Sequence, residues 1–166
     1  MKVLVTGHRG FIGRYVFADW RDQLGYKVHG IDHPDDVGDF KGGDYDLVVH
    51  LAAWADIRES LQKPEEYYIN NVVKAKPLFD WCRETNTRLL YASSSAVADD
   101  YWNNPYAMSK WINEQMAPPN SAILDKSCCL NPFPAISQWD NSAVVPRTSP
   151  VESSLGICIS ARPAPV

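Results

Sequence analysis

The chain of 166 residues carries 16 Lys and Arg against 20 Asp and Glu, a formal net charge of −4. That length suits one domain with a substantial core, and the acidic balance argues against a nucleic-acid surface or an anionic membrane partner. Cys82, Cys128, Cys129 and Cys158 show no CxxC spacing, no secretory signal precedes them, and no apolar run approaches the ~20 residues of a spanning helix, so reduced thiols in a cytoplasmic protein are expected.

"KVLVTG" (2–7) is a short apolar run rich in β-branched residues that ends in glycine, and it reads as a buried strand. In "FIGRYVFADWRDQLG", Phe11, Ile12, Tyr15, Val16, Trp20 and Leu24 recur at helical spacing, with Gly25 as the stop. "KVHGID" (27–32) is a second strand, and "DYDLVVHLAA" (44–53) contains a third. Pro64, followed by Glu65 and Glu66, opens a helix, because proline suits the first helical position and carboxylates suit its positive end. That pattern runs to about Glu84, with Pro77 expected to kink or break it. "RLLYASS" (88–94) is another strand, and Asn104 caps a helix that has Pro105 at its first position. Strands alternating with helices predict a parallel sheet covered on both faces.

"TGHRGFIG" (6–13) joins the first strand to the first helix, with Gly7, Gly10 and Gly13 in the spacing GxxGxxG. One glycine permits a tight turn, another lets backbone approach a pyrophosphate, and the third lets helix and strand pack closely. The helix N-terminus then offers free N–H groups and partial positive charge to the phosphates. Three glycines alone are equally well an ordinary turn. The context favours a dinucleotide, because Asp32 ends the next strand and suits ribose hydroxyls while repelling a 2′-phosphate. Arg9 is the counter-signal, since an arginine in the loop can meet such a phosphate. NAD is favoured over NADP.

"YAMSK" (106–110) places Tyr106 and Lys110 at i and i+4 on one helix face. A free phenol is a poor base at neutral pH, and a nearby ammonium favours its phenolate. Ser94, at the end of the preceding strand, can orient a substrate alcohol. Taken alone, the Tyr–Lys pair is common decoration on solvated helices, and "SSS" is an ordinary polar strand end. Their chain order after the glycine loop and Asp32 favours chemistry. His50 reads as a packed strand residue, and Arg58 equally as a surface residue or a phosphate contact. No metal-ligand spacing is present.

"TGHRGFIG", "GID", "DLVVHLAA", "ADIRESLQKPEEYYINNV", "YASSSAV" and "YAMSK" together resemble the extended short-chain dehydrogenase/reductases, in particular the NAD-dependent nucleotide-sugar epimerases and dehydratases. The resemblance covers about residues 1–117 and implies a Rossmann-like, doubly wound parallel α/β sheet. It assigns the pyrophosphate loop to Gly7, Gly10 and Gly13, with Arg9, Phe11 and Ile12 beside it. It places Asp32 at the adenosine ribose, Asp36 and Val37 at the adenine, and Leu51, Ala52 and Ala53 along the cofactor cleft. Asn71 matches a helix asparagine used in structure or proton relay. Ser94, counted three back from Val97, matches the catalytic Ser/Thr; Tyr106 matches the base, and Lys110 the residue that holds the nicotinamide ribose. The implied partner is a nucleotide sugar oxidised at one carbon, with a homodimer as one option. The "GHRG" loop is also similar to that of the NADP-using GDP-fucose synthases.

The chain departs from that pattern in places. "VAD" replaces "VYG" after the serines, Lys74 and Ala75 replace a helical "GT", and the stretch from Ser94 to Tyr106 is short. Residues 117–166 hold eight of the twelve prolines and only six charged residues, with no sustained period. The organisation expected is an NAD-binding domain over 1–124 and an irregular tail over 125–166 that lacks the family's substrate domain, as a truncated or frameshifted gene would produce. The alternative to an enzyme is a non-catalytic NAD(P)-binding fragment or binding module.

Overall fold

The structure, a computed structural model, describes residues 1–98 and 101–124 and the backbone of 159–160. Its strands are β1 (Lys2–Thr6), β2 (Lys27–Ile31), β3 (Leu47–His50), β4 (Arg88–Ala92), β5 (Ala122–Leu124) and the two-residue β6 (Ile159–Ser160). They form one sheet in the order β2-β1-β3-β4-β5-β6. The first five are parallel, and β6 pairs antiparallel with β5. β5 falls on the run Ser121–Leu124, a weak strand signal, and no other strand of the described residues lies between β2 and β3. The expected irregular tail falls on residues 125–158 and 161–166, outside the described residues.

The helices are α1 (Gly13–Asp22), α2 (Ile57–Gln62), α3 (Pro64–Tyr68), α4 (Lys76–Glu84) and α5 (Pro105–Met116). The expected face of α1 is only half correct. Val16 and Trp20 are buried, whereas Phe11 and Tyr15 are 73 % and 61 % exposed. Gly25 does end the segment, at φ +65°, where a side chain is disfavoured. Asn104 caps α5 by accepting from the Ala107 N–H at 2.9 Å. α2 carries a weaker signal. Asp56 caps it by accepting from the Glu59 N–H at 2.9 Å, yet Ile57 and Leu61 stay exposed and leave no apolar stripe to detect.

Pro77 breaks the long helix upstream of itself. Residues Ile69–Val73 form a π-helical turn, in which the Lys74 N–H reaches the Ile69 carbonyl at 3.0 Å. α4 then restarts with Pro77 in its first turn, where the missing N–H costs nothing.

One face of the sheet packs Val3, Val5, Leu47, Val49 and Leu90 against Val16 and Trp20 of α1. The other packs Leu4, Val48, Leu89 and Tyr91 against Leu78, Phe79 and Cys82 of α4. Each such large side chain contributes about 1.5–3 kcal/mol on burial. The chain winds one way from β1 to β2 and the other way from β1 to β3. A doubly wound sheet binds ligands at the carboxyl ends of its strands where that reversal occurs. Here that point lies between β1 and β3.

Candidate functional site

A cavity of about 350 Å³ opens at this point. Gly7, Gly10, Asp32, Asp36, Val37, Leu51, Ala52 and Ala53 line it, together with Lys74, His50 and Trp54. Eight sequence-predicted cofactor residues therefore meet there. Arg9, Phe11, Ile12, Gly13, Asn71, Ser94, Tyr106 and Lys110 are not in its lining.

The three glycines are not equivalent. Gly7 has φ +69°, and a Cβ there would lie 2.7 Å from the Ala52 N. A Cβ on Gly13 would lie 2.0 Å from the Gly7 carbonyl. Both glycines are demanded by the chain's own backbone. Gly10 is exposed, and its Cβ would meet only the Gly7 carbonyl, at 3.2 Å. Folding alone requires no glycine at that position. The N-terminus of α1 adds partial positive charge, since Ile12 offers no side-chain cap and the first turn has no acidic residue, although the Arg14 and Tyr15 N–H groups already donate to the Gly10 and Ile12 carbonyls. A bare, exposed backbone beside an uncapped helix start fits a dinucleotide pyrophosphate.

Asp32 follows β2 and organises the loop. Its two oxygens accept from the Arg9 N–H at 2.7 Å and the His33 N–H at 2.8 Å. The Arg9 guanidinium, though Arg9 is not itself in the lining, donates to the carbonyl of the lining residue His33 at 2.8 Å. Asp36 accepts from the Gly38 N–H at 2.8 Å and pairs with Lys74. The Lys74 ammonium, and after it the Gly38 N–H, hold the Asp36 carboxyl below its ordinary pKa.

His50 sits at the end of β3, 2 % exposed, with Nδ1 2.8 Å from the Thr6 hydroxyl and its ring edge-on to Phe79. The Thr6 oxygen also accepts from the Ala52 N–H at 3.2 Å. Burial, then the nearby positive charge of Lys110, pushes the imidazole down to about 3, so it stays neutral.

α5 carries the tyrosine and lysine. Both are 2 % exposed. The Lys110 ammonium donates to the Ala92 carbonyl at the end of β4, at 3.0 Å, and lies 6.0 Å from the Tyr106 ring centroid. Ser94 is half-buried, and its hydroxyl accepts from the Ala96 N–H at 3.4 Å. Its neighbour Ser93 donates to Glu114 of α5.

Asn71 links the two regions. Its side chain brackets Trp54, accepting from the N–H and donating to the carbonyl, each at 2.9 Å. It also donates to Ser109 of α5 at 3.1 Å. Asn113 in turn donates to the Asn71 carbonyl at 3.0 Å, serving a backbone group within the π-helical turn. Asn71 is thus a buried strut between the β3 loop and the helix of Tyr106. Lys74 is one of the lining residues, with His33, Pro34, Asp35, Trp54, Asn70 and Ala75, to which sequence reasoning assigned no site role. Its signal was its position four residues after Asn70, which shares its helix face and the cavity wall.

The sequence pattern described as "NAD dependent epimerase/dehydratase family" matches residues 3–148, further than the motif resemblance reaches. A UDP-glucose 4-epimerase of Corynebacterium glutamicum is 33% identical over 118 residues, covering 58% of this chain and 36% of the relative. The structure of a UDP-glucose 4-epimerase from Bifidobacterium longum, in complex with NAD+ and UDP, matches at TM-score 0.64 and 26% identity, over 75% of this chain and 52% of that one. The Brucella ovis UDP-glucose 4-epimerase in complex with NAD matches at TM-score 0.60 and 29% identity, over 69% of this chain and 46% of that one. The chain spans about half the length of the curated relatives it matches.

Proposed function

The chain belongs to the NAD-dependent epimerase/dehydratase family, and on that premise we propose that it carries the cofactor-binding and proton-transfer parts of a nucleotide-sugar epimerase or dehydratase. The observation that carries this reading is the burial of Tyr106 and Lys110, each 2 % exposed, on one face of α5. A lysine that merely decorates a helix keeps its ammonium in water. This one is withdrawn from water and anchored on the Ala92 carbonyl, beside the Tyr106 ring.

NAD, when bound, supplies the hydride acceptor. Tyr106 receives the proton of the sugar hydroxyl being oxidised, and Lys110 places positive charge beside that phenol. The Ser94 hydroxyl orients the same sugar oxygen. Gly7, Gly10 and Gly13 shape the pyrophosphate loop, with Phe11 and Ile12 opening the helix, and Asp32 takes the ribose hydroxyls. NAD is preferred over NADP because the lining holds Asp32, Asp35 and Asp36 against Lys74, which Asp36 already engages. The substrate class, a nucleotide sugar such as UDP-glucose, is carried over from what the relatives act on by name, and a homodimeric assembly is an option of the same proposal. No helix among the described residues is long and apolar enough to cross a membrane.

The test is a comparison of the chain with Tyr106→Phe, incubated with NAD and UDP-glucose. Wild type should form reduced nicotinamide or the 4-epimer. Tyr106→Phe should bind NAD as well as wild type and lose turnover by a factor of about 100 or more. Equal turnover in the variant would overturn the role of Tyr106. A second reading, an NAD-binding module without turnover, is favoured by the cavity lining, which includes none of Ser94, Tyr106 and Lys110. It predicts NAD binding in both proteins and turnover in neither.

A further inference from the structure

The Leu51 N–H closes the pairing of β1 with β3 by donating to the Thr6 carbonyl at 3.1 Å. Beyond it the two strands part. Gly7 turns into the left-handed region, and its carbonyl takes the Gly10 N–H instead. The next N–H of the β3 loop, that of Ala52, is met by a side chain, the Thr6 hydroxyl. We propose that His50 is a positioning residue of the cofactor site: through the Thr6 hydroxyl it holds the Ala52 N–H, and so sets the Leu51–Ala53 wall of the cavity against the glycine loop. This rests on the dinucleotide binding proposed above.

The placement of protons gives the contact its direction. Thr6 and His50 stand opposite each other in the β1–β3 register, so their side chains leave the same face of the sheet. Both are buried, at 0 % and 2 % exposure. The Thr6 oxygen accepts from the Ala52 N–H, which leaves its own proton to the His50 Nδ1, 2.8 Å away. A neutral imidazole carries one ring proton. On Nδ1, that proton would leave both the Thr6 hydroxyl hydrogen and the Nε2 lone pair unmatched. On Nε2, it leaves the Thr6 hydroxyl fully matched and strands a single N–H. Nδ1 is therefore the acceptor, and Phe79, edge-on at 5.5 Å, holds the ring plane.

Fold stability does not explain the arrangement. Exchanging both partners of a buried hydrogen bond for apolar groups is close to neutral. The imidazole also leaves Nε2 without a partner among the described residues, a loss that an apolar side chain would not incur. Position does explain it. The Gly7 backbone lies so close that a Cβ on it would stand 2.7 Å from the Ala52 N and 2.9 Å from the Leu51 carbonyl carbon. A shift of Ala52 is thus a shift against the glycine loop, and Gly7, Gly10, Leu51, Ala52 and Ala53 all line the cavity.

The experiment has a ligand-free arm and a ligand arm. Nitrogen NMR of the histidine-labelled chain, with the His50 signals identified by their loss in His50→Asn, should show a protonated Nε2 and an unprotonated Nδ1. The reverse tautomer would overturn the proposal. Calorimetry then titrates NAD into wild type, Thr6→Val, His50→Leu, the double variant and His50→Asn, with thermal melts alongside. Thr6→Val and His50→Leu should each bind NAD about tenfold more weakly. The double variant should bind no more weakly than Thr6→Val, because His50 acts only through that hydroxyl. His50→Asn, whose side-chain oxygen replaces Nδ1 as acceptor, should stay within about threefold of wild type. Additive losses in the double variant, unchanged NAD binding in His50→Leu, or a His50→Asn as weak as His50→Leu would each overturn the role. Should a single change unfold the chain, the tautomer and His50→Asn still decide. Failure of wild type to bind NAD, with the tautomer as expected, would instead overturn the cofactor assignment itself, and this inference with it.

Discussion

At the scale of single residues, the glycine loop separates what the fold needs from what a ligand needs. Gly13→Ala drives a methyl into the Gly7 carbonyl, 2.0 Å away between two fixed backbones. It should destabilise the domain by about 3 kcal/mol or more, seen as an early urea midpoint. Gly10→Ala meets only one carbonyl, at 3.2 Å. It should melt within a few degrees of wild type and still lose NAD affinity by tenfold or more, as measured by calorimetry. Normal NAD binding by that variant would make the loop an ordinary turn. His50 makes a different kind of residue-scale claim. Its folded pKa, near 3, lies below its unfolded value near 6.5. The unfolded chain therefore binds a proton that the folded chain refuses. The stability His50 confers is complete above about pH 6.5 and falls as pH drops toward 3, by about 1.4 kcal/mol per unit in between. Urea unfolding at pH 6.5 and 5.0 should show that loss, and His50→Gln should reduce it. An identical pH slope in the variant would refute the assignment.

At the scale of elements, the helix around Pro77 shows how local rules cooperate. The π-helical turn takes up the register change before the proline, and Pro77 lies in the first turn of α4, where no N–H is required. Pro77→Ala should therefore change stability by less than about 1 kcal/mol, against ~3 kcal/mol for a proline in a helix interior. A gain of several kcal/mol in denaturant unfolding would show that the proline strains the helix. The same region shows what a sequence discloses. Pro64, Asn104 and the apolar runs of β1, β3 and β4 carry their own signals, because cap chemistry and β-branched burial are local. So does Gly25, whose left-handed backbone ends the α1 segment. α2 carries no apolar stripe, and its cap Asp56 is a single short-range signal. The Asp36–Lys74 pair spans 38 positions and exists only because the β2–β3 connection folds over the start of α4. No spacing rule reaches that far. The exposed Phe11 and Tyr15 mislead for the opposite reason. They keep the helical period yet pack edge to face with each other and against the Arg14 guanidinium, away from the core.

At the scale of the whole molecule, the site belongs to no single element. The cavity takes Gly10 from the β1 loop, Asp32 and Val37 from the β2 loop, Leu51 and Ala52 from the β3 loop, and Ala75 from the start of α4. Those elements pack on opposite faces of the sheet, with α1 on one and α4 on the other. A ligand that fills the cavity must therefore hold both layers to the same strand ends. Its binding energy then adds to the global unfolding free energy rather than to one loop. At a hundred times the dissociation constant that addition is about 2.7 kcal/mol, a rise of roughly 5–10 °C in Tm for a domain of this size. NAD should produce such a rise under saturating conditions. NADP at the same concentration should produce a smaller one, because its extra phosphate enters a lining that holds Asp32, Asp35 and Asp36. Arg9 offers no relief as it stands, since its guanidinium is engaged by the His33 carbonyl and Arg9 is not itself a lining residue. Thermal melts with each dinucleotide, repeated in Asp32→Asn, check the argument: removing the carboxylate should narrow the gap between the two cofactors. An equal or larger shift with NADP in wild type would mean that Arg9 swings into the cavity and that the acidic lining does not select the cofactor.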